Sequence, residues 1–232
     1  MQRYTTTGIV LARTDFGEAD RILTFLTPDH GKVKAMAKGV RKSKAKLAGS
    51  IELFSVSDLT LIPGRSGIDT LISARLVKHY GNIVKDLGRT SLGFELLKMV
   101  NRAVEDAAEP AYFDLLRIGL EALDDKQIEQ SLTDLWFRMQ LLKLTGHSPN
   151  LDSDKSGAKL KISGTYSFHM DHMHFVPQLS DQGPYSAQHI KFLRLGFSAQ
   201  RPKVLTRVSG VEALAGETQP LIQAMLNSYV RV

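Results

Sequence analysis

The chain has 232 residues, 43% of them hydrophobic and 23% charged, with seven histidines, no cysteine and a formal net charge of +6. That length and composition allow a core large enough for two small domains, and the missing cysteines exclude disulfides, thiolate nucleophiles and cysteine-ligated zinc. No run reaches the roughly 18–20 apolar residues that a bilayer requires, and residues 1–8 are too polar to begin a secretory signal, so no membrane partner and a cytoplasmic location are expected.

The charge is unevenly placed. Residues 1–80 hold 13 Lys and Arg against 7 Asp and Glu, whereas residues 81–232 hold 17 of each. Net charge confined to one predicted domain points to a polyanionic partner. Its densest part is the acid-free run from His30 to Ile51, which carries Lys32, Lys34, Lys38, Arg41, Lys42, Lys44 and Lys46. Val33, Ala35 and Ala37 alternate with Lys32, Lys34, Met36 and Lys38 at the period of a strand. The run lacks the broad apolar face of a helix that lies on a membrane, so nucleic acid is the expected polyanion.

Strand signals fill the first third, at residues 6–13, 20–26, 32–39, 51–62 and 68–76. Turn residues separate them, notably Pro28 to Gly31 and Pro63 to Gly67. Five short strands without a helix suit a small closed barrel, and the five-stranded oligonucleotide-binding (OB) barrel is the predicted fold of residues 1–79.

The period then becomes helical. Leu92, Leu96, Met99, Val100 and Ala103 share one face of a first helix, with Ser91 as its predicted cap. Pro110 opens a second helix through Tyr112, Leu115, Leu116, Gly119 and Leu123. A third carries Ile128, Leu132, Leu135, Trp136, Met139 and Leu142 and ends at Gly146. A β-hairpin is predicted over residues 150–183, pairing residues 160–168 with 173–176 around Met170 and Asp171. Helix resumes at residues 187–195 and again at 220–230, with Thr218 as cap and Pro220 in the first turn. The expected class is α+β: a barrel, a helical domain over residues 80–149 and 184–232, and a small β insertion.

Sites for bond-making chemistry are scarce. There is no phosphate-binding glycine loop with its lysine, no dinucleotide fingerprint and no serine nucleophile elbow. Asp15, Glu18 and Asp20 cluster, but they read as a loop capping the next strand rather than as metal ligands. His169, Asp171, His172 and His174 place four ligand-type residues within six positions, with Asp152 and Asp154 as a second set. The competing reading is a group of exposed histidines, and no metal, cofactor or catalytic residue is assigned. Residues 1–80 offer only Tyr4, Phe16, Phe25, Phe54 and Tyr80 for base stacking. With Phe25 and Phe54 in apolar strand patterns, binding should rest on phosphate contacts from lysines on a mobile loop and accept duplex as well as single strands.

The order Gly8-Ile9-Val10-Leu11, Gly17-Glu18-Ala19-Asp20-Arg21-Ile22-Leu23, Leu26-Thr27-Pro28 with Gly31-Lys32, Ala37-Lys38-Gly39 and Leu47-Ala48-Gly49 before Phe54 resembles the start of the RecO family of recombination mediators. The segment Leu141-Leu142-Lys143-Leu144-Thr145-Gly146-His147-Ser148-Pro149 is similar to that family's helical region. The resemblance implies a non-enzymatic role in DNA repair and recombination, associated with the nucleoid. It implies binding of single- and double-stranded DNA, annealing of strands coated by single-stranded DNA-binding protein, and work with RecR to load RecA. Carried over by position, the seven cations of the basic run would contact DNA, with Arg13 and Arg75 as additions. Arg102, Arg138 and Lys143, beside the helical apolar stripe, are candidates for holding the acidic tail of single-stranded DNA-binding protein, or else form a solvated helix face. Many members carry a four-cysteine zinc module after the third helix. Here that place reads Leu151-Asp152-Ser153-Asp154-Lys155-Ser156-Gly157, so no structural zinc is expected. An RNA-binding barrel of ribosome or tRNA metabolism is the alternative, since a basic barrel does not by itself tell DNA from RNA.

Overall fold

The computed structural model describes residues 2–43, 45, 47–104, 109–154, 156–161, 164–178 and 183–230. They fall into two compact units, residues 1–126 and 127–231.

The first unit is built on five strands: β1 (Tyr4–Phe16), β2 (Asp20–Thr27), β3 (Gly31–Ala37), β4 (Ser55–Ile62) and β5 (Asp69–His79). They close into a barrel in the order β1-β2-β3-β5-β4, with β4 returning to β1. All pairs are antiparallel except β3 with β5, which meet at Ala35 opposite Asp69 and Met36 opposite Thr70. Register shifts between Val10 and Ala12 on β1 and within β5 supply the local bend that a small barrel needs. Val10, Leu23, Phe25, Val33, Ala35, Leu59, Leu61 and Leu71 fill the interior, each large side chain contributing about 1.5–3 kcal/mol over leaving it exposed.

The strand expected over residues 51–62 begins only at Ser55. Residues 48–50 form a 3-10 turn, and Phe54 takes a left-handed backbone at φ 58°, which breaks the extended run while burying its ring. That ring lies edge-on to Phe94 at 5.3 Å.

Two helices complete this unit, α1 (Leu87–Ala103) and α2 (Pro110–Asp124). The cap of α1 is Asp86 rather than Ser91, which lies inside the helix. Asp86 has an extended backbone, and its carboxylate accepts the Arg89 N–H at 2.9 Å. Pro110 opens α2 as expected, since a first-turn residue needs no N–H.

The second unit contains α3 (Gln130–Leu144), α4 (Ala187–Ser198), α5 (Val211–Tyr229) and a three-stranded sheet. The sheet order is β7-β6-β8, from β6 (Thr165–His169), β7 (His174–Pro177) and β8 (Tyr185–Ser186). The hairpin register is close to the expected one, with Ser167 opposite Val176 and Phe168 opposite Phe175. Its first strand starts at Thr165 rather than 160. Ile162 and Ser163, on which the longer strand depended, lie outside the described residues.

Helix α3 packs against α4 and α5, and the Trp136 indole N–H donates to the Ala199 carbonyl at 2.8 Å in the buried seam. The last helix corrects the sequence expectation most. It starts nine residues before Pro220, so Thr218 is not its cap but a buried residue whose hydroxyl donates to the Leu214 carbonyl at 2.6 Å. The stripe Leu214, Leu221, Ile222, Met225 and Leu226 is buried on both sides of the proline. Pro220 is exposed, so its cost is local: the bond its missing N–H would have given the Gly216 carbonyl and the crowding of that carbonyl by its ring.

Candidate nucleic-acid interface

The alternation on β3 resolves as its sequence suggests. Val33, Ala35 and Ala37 point into the barrel, Lys34 is exposed, and Lys32 and Met36 are half-buried on the outer face. Residues directly opposite in a sheet share a face, which places Thr24 beside Lys34 and Ile22 beside Met36. A cleft of about 670 Å³ opens on this face between Thr24, Lys32 and Lys34, the β4–β5 connection at Ser66 to Ile68, and Asn101 at the end of α1. No carboxylate lines it among the described residues.

Lys32 has a second duty. Its ammonium donates to the Asn101 carbonyl at 3.1 Å, in the last turn of α1, where a cation satisfies an orphan acceptor and the negative end of the helix dipole.

The segment after β3 is anchored by apolar side chains. Val40 and Ile51 are 5% and 2% exposed within the barrel core, and successive turns run from Gly39 to Lys42 and from Lys42 to Ala45. Gly39 begins them at φ +66°, a conformation that favours glycine. Among the described residues, Lys38 and Lys42 therefore stand on hydrogen-bonded turns. Lys38 and Lys42 project from the anchored segment into solvent. Lys44 and Lys46 lie outside the described residues.

Two acids flanking the β1–β2 turn, Asp15 on β1 and Asp20 on β2, explain the anchoring, and this is the part of the site that the sequence did not disclose. Asp20 accepts the Gly39 N–H at 2.7 Å, and the Ala19 carbonyl accepts the Arg41 N–H at 2.9 Å. The Arg41 guanidinium reaches Asp15 at 3.3 Å and the Gly17 carbonyl at 3.3 Å. Asp15 also accepts from Arg21 at 2.8 Å. That hydrogen bond, with the charges of Arg21, Arg41 and Arg13, holds the Asp15 carboxyl below the usual carboxylate range despite partial desolvation. Asp15 and Asp20 are therefore clamps on the basic segment.

The remaining cations divide. Arg13 pairs with Glu52 at 3.1 Å. Arg75 pairs with Asp58 at 2.6 Å on β4, away from β3. The Arg75 hydrogen bond, helped by one from Thr7, keeps the Asp58 carboxyl low. Lys34, Lys38 and Lys42 meet no carboxylate among the described residues.

Of the three tail-binding candidates, Arg102 is exposed at the end of α1 in the first unit. In the second unit Arg138 is committed inward, bonded to Asp134 and Gln223 at 2.7 Å each. Lys143 is exposed and donates to the Phe197 carbonyl at 3.2 Å, at the edge of a small cavity of about 290 Å³ shared with Leu151, Arg194 and Phe197.

The histidine cluster does not converge. His169 and His172 stack against His174 at 6.2 and 5.5 Å, ring on ring. His174 is 7% exposed, with Nδ1 3.1 Å from the His172 carbonyl. Asp154, from the proposed second set, uses one carboxylate oxygen to accept from Ser156 and Ala158 in its own loop. Among the described residues no three His, Asp or Glu side chains are placed to hold a metal ion.

Comparison with known proteins fits this architecture. The family model for the recombination protein O N terminal region matches residues 1–80, and that for its C terminal region matches residues 84–195. The chain belongs to the RecO family. A DNA repair protein RecO from Dehalococcoides mccartyi is 37% identical over 149 residues, 64% of this chain and 58% of the relative. One from Desulfatibacillum aliphaticivorans is 33% identical over 155 residues, 66% of this chain and 60% of the relative. One from Gloeobacter violaceus is 36% identical over 150 residues, 64% and 57%. The chain thus matches about three fifths of the length of these RecO relatives. No helix among the described residues is long and apolar enough to cross a membrane.

Proposed function

We propose that this protein acts in DNA repair as a recombination mediator, binding single- and double-stranded DNA through phosphate contacts and annealing complementary strands. The observation that carries this reading is the uncompensated row Lys34, Lys38 and Lys42 on the rim of a closed five-stranded barrel, in a chain of the RecO family. Lysine is a point charge on a flexible stem, so it holds a phosphate without fixing the base attached to it. Two strands held in this way can slide, test register and pair. No covalent chemistry is required, and nucleoid association follows from DNA binding itself.

The wider partners belong to the same proposal. Strands coated by single-stranded DNA-binding protein are the substrate, RecR is the co-mediator, and RecA is loaded on the product. The Arg194 guanidinium beside the small cavity is already bonded to the Leu151 carbonyl at 2.8 Å and lies 3.7 Å from Asp152, so for the acidic tail of the coating protein it is the exposed Lys143 that offers positive charge there. Arg138 does not, because Asp134 and Gln223 occupy its guanidinium.

The test is annealing of complementary strands precoated with single-stranded DNA-binding protein. Wild-type protein should accelerate it, and Lys34→Glu/Lys38→Glu/Lys42→Glu should abolish the acceleration while leaving the melting temperature within a few degrees. Unchanged annealing by the triple variant would refute the assignment. If about five phosphates are neutralised, log affinity for duplex should fall against log salt with a slope of roughly −4 to −5. Matched RNA strands should compete no better than DNA.

A further inference from the structure

The same outer face carries an apolar strip beside its cations. Phe16 ends β1 opposite Asp20, Thr14 stands opposite Ile22, and Ile22 stands opposite Met36. Asp20, Ile22 and Thr24 alternate along β2 with the interior residues Leu23 and Phe25, both 0% exposed. Phe16, Ile22 and Met36 therefore lie on the outward side of the sheet, in register with Thr24 and Lys34 and continuous with the cleft. Phe16 is 53% exposed, whereas Phe25, Phe54 and Tyr80 are buried.

A single exposed apolar side chain is ordinary on a protein surface, and it is the surroundings of Phe16 that point to a use. The hairpin is tied to the basic segment by the Gly39–Asp20, Arg41–Ala19 and Arg41–Gly17 bonds. Phosphates seated at Lys34 and Lys38 would leave their bases over Met36, Ile22 and Phe16. Five-stranded barrels of this type take oligonucleotides across strands 2 and 3, between the first and fourth connections. We propose that Phe16, supported by Ile22 and Met36, is a base-stacking residue that makes this face prefer single strands to duplex. The inference rests on the DNA-binding reading and adds to it. In a duplex the base faces are already stacked on one another, so the strip has nothing to hold. In a single strand each base has a free face, and stacking on an aromatic is tolerant of sequence.

The experiment titrates the full chain with a fluorescent pyrimidine single strand, an abasic strand of equal length, and a duplex. Wild type is compared with Phe16→Ala and Phe16→Trp. Phe16→Ala should weaken the normal strand roughly 5- to 150-fold, the range expected for losing one stacked base, and should leave the abasic strand and the duplex within about twofold. Phe16→Trp should restore affinity, and its emission, read against the Trp136 background in Phe16→Ala, should be quenched by the normal strand and not by the abasic one. Because Phe16 is half exposed, thermal melting of each variant checks that folding is unchanged. Equal losses on all three ligands, or no loss on any, would overturn the inference while leaving phosphate binding standing. Failure of wild type to bind any of the three would remove the DNA reading and this inference with it.

Discussion

Two clefts of nearly equal size lie on the outside of the same barrel, about 670 Å³ on the β2–β3 face and about 630 Å³ on the β1–β4–β5 face. The first is lined by Lys32 and Lys34 with no carboxylate among the described residues. The second is lined by threonine and serine hydroxyls, by Arg75 paired with Asp58, and by Asp29, which accepts from the Thr6 hydroxyl. Concavity is therefore the same on both faces and charge is not. A polyanion finds cations at the first cleft that its approach can neutralise. At the second it meets a guanidinium already bonded to Asp58, beside another carboxylate. Net charge in the sequence could identify the domain, but only the pairing of each cation identifies the face.

That contrast yields a graded set of expectations. The largest effect belongs to Lys34→Glu/Lys38→Glu/Lys42→Glu, which should lower duplex affinity by roughly 100-fold at low salt and flatten its salt dependence. Next comes Phe16→Ala, whose selective loss on single strands would sharpen the contrast by adding an apolar distinction to an electrostatic one. A smaller effect is expected for Asp20→Ala. It removes the acceptor of the Gly39 N–H and should lower stability by about 1–2 kcal/mol in a thermal melt, while weakening DNA binding only through a less ordered basic segment.

The smallest effect concerns pH. The Asp15 carboxyl is held low by Arg21 and Arg41, so ionised Asp15 favours the clamped segment at neutral pH. This contribution persists as the pH falls to the ordinary carboxylate value near about 4 and is lost as the pH drops through the depressed one. Protection of the Arg41 amide, which bonds to Ala19, should fall over that window in wild type when its exchange is compared with the intrinsic rate at each pH. Asp15→Asn should show lower protection at neutral pH and no such fall. Equal exchange in the two proteins at pH 7 would show that Asp15 does not hold the segment.

Much of the fold was legible because its signals are periodic. Alternation on β3 and the stripe on α3 give the right element and the right buried face from the spacing of apolar residues alone. The misses have one physical character: a local rule overruled by packing. Ser91 is a good capping residue but Asp86 lies closer to where the backbone turns. Pro220 resembles a first-turn proline, yet an apolar stripe continuous through Leu214 and Leu226 carries the helix past it. Ile51 reads as strand, but its burial in the core draws the chain into a turn and Phe54 into a left-handed conformation. For the interface the pattern is similar. The cations were visible as a run, but their separation into Lys34, Lys38 and Lys42 on one hand and Arg13, Arg41 and Arg75 on the other depends on acids distant in sequence or flanking a turn. Phe16 stood among the five aromatics that the sequence offers for stacking, and what the structure adds is that it is exposed while Phe25, Phe54 and Tyr80 are buried.

The central claim is that the outer β2–β3 face meets the phosphates, and the β1–β4–β5 face does not. Its most direct test compares Lys34→Gln with Arg75→Gln, each removing one positive charge, by measuring duplex affinity across a series of salt concentrations. Lys34→Gln should reduce the steepness of log affinity against log salt by roughly 0.9, the value of one lost phosphate contact, and Arg75→Gln should leave it unchanged. A loss of steepness in Arg75→Gln equal to or greater than that in Lys34→Gln would contradict the account.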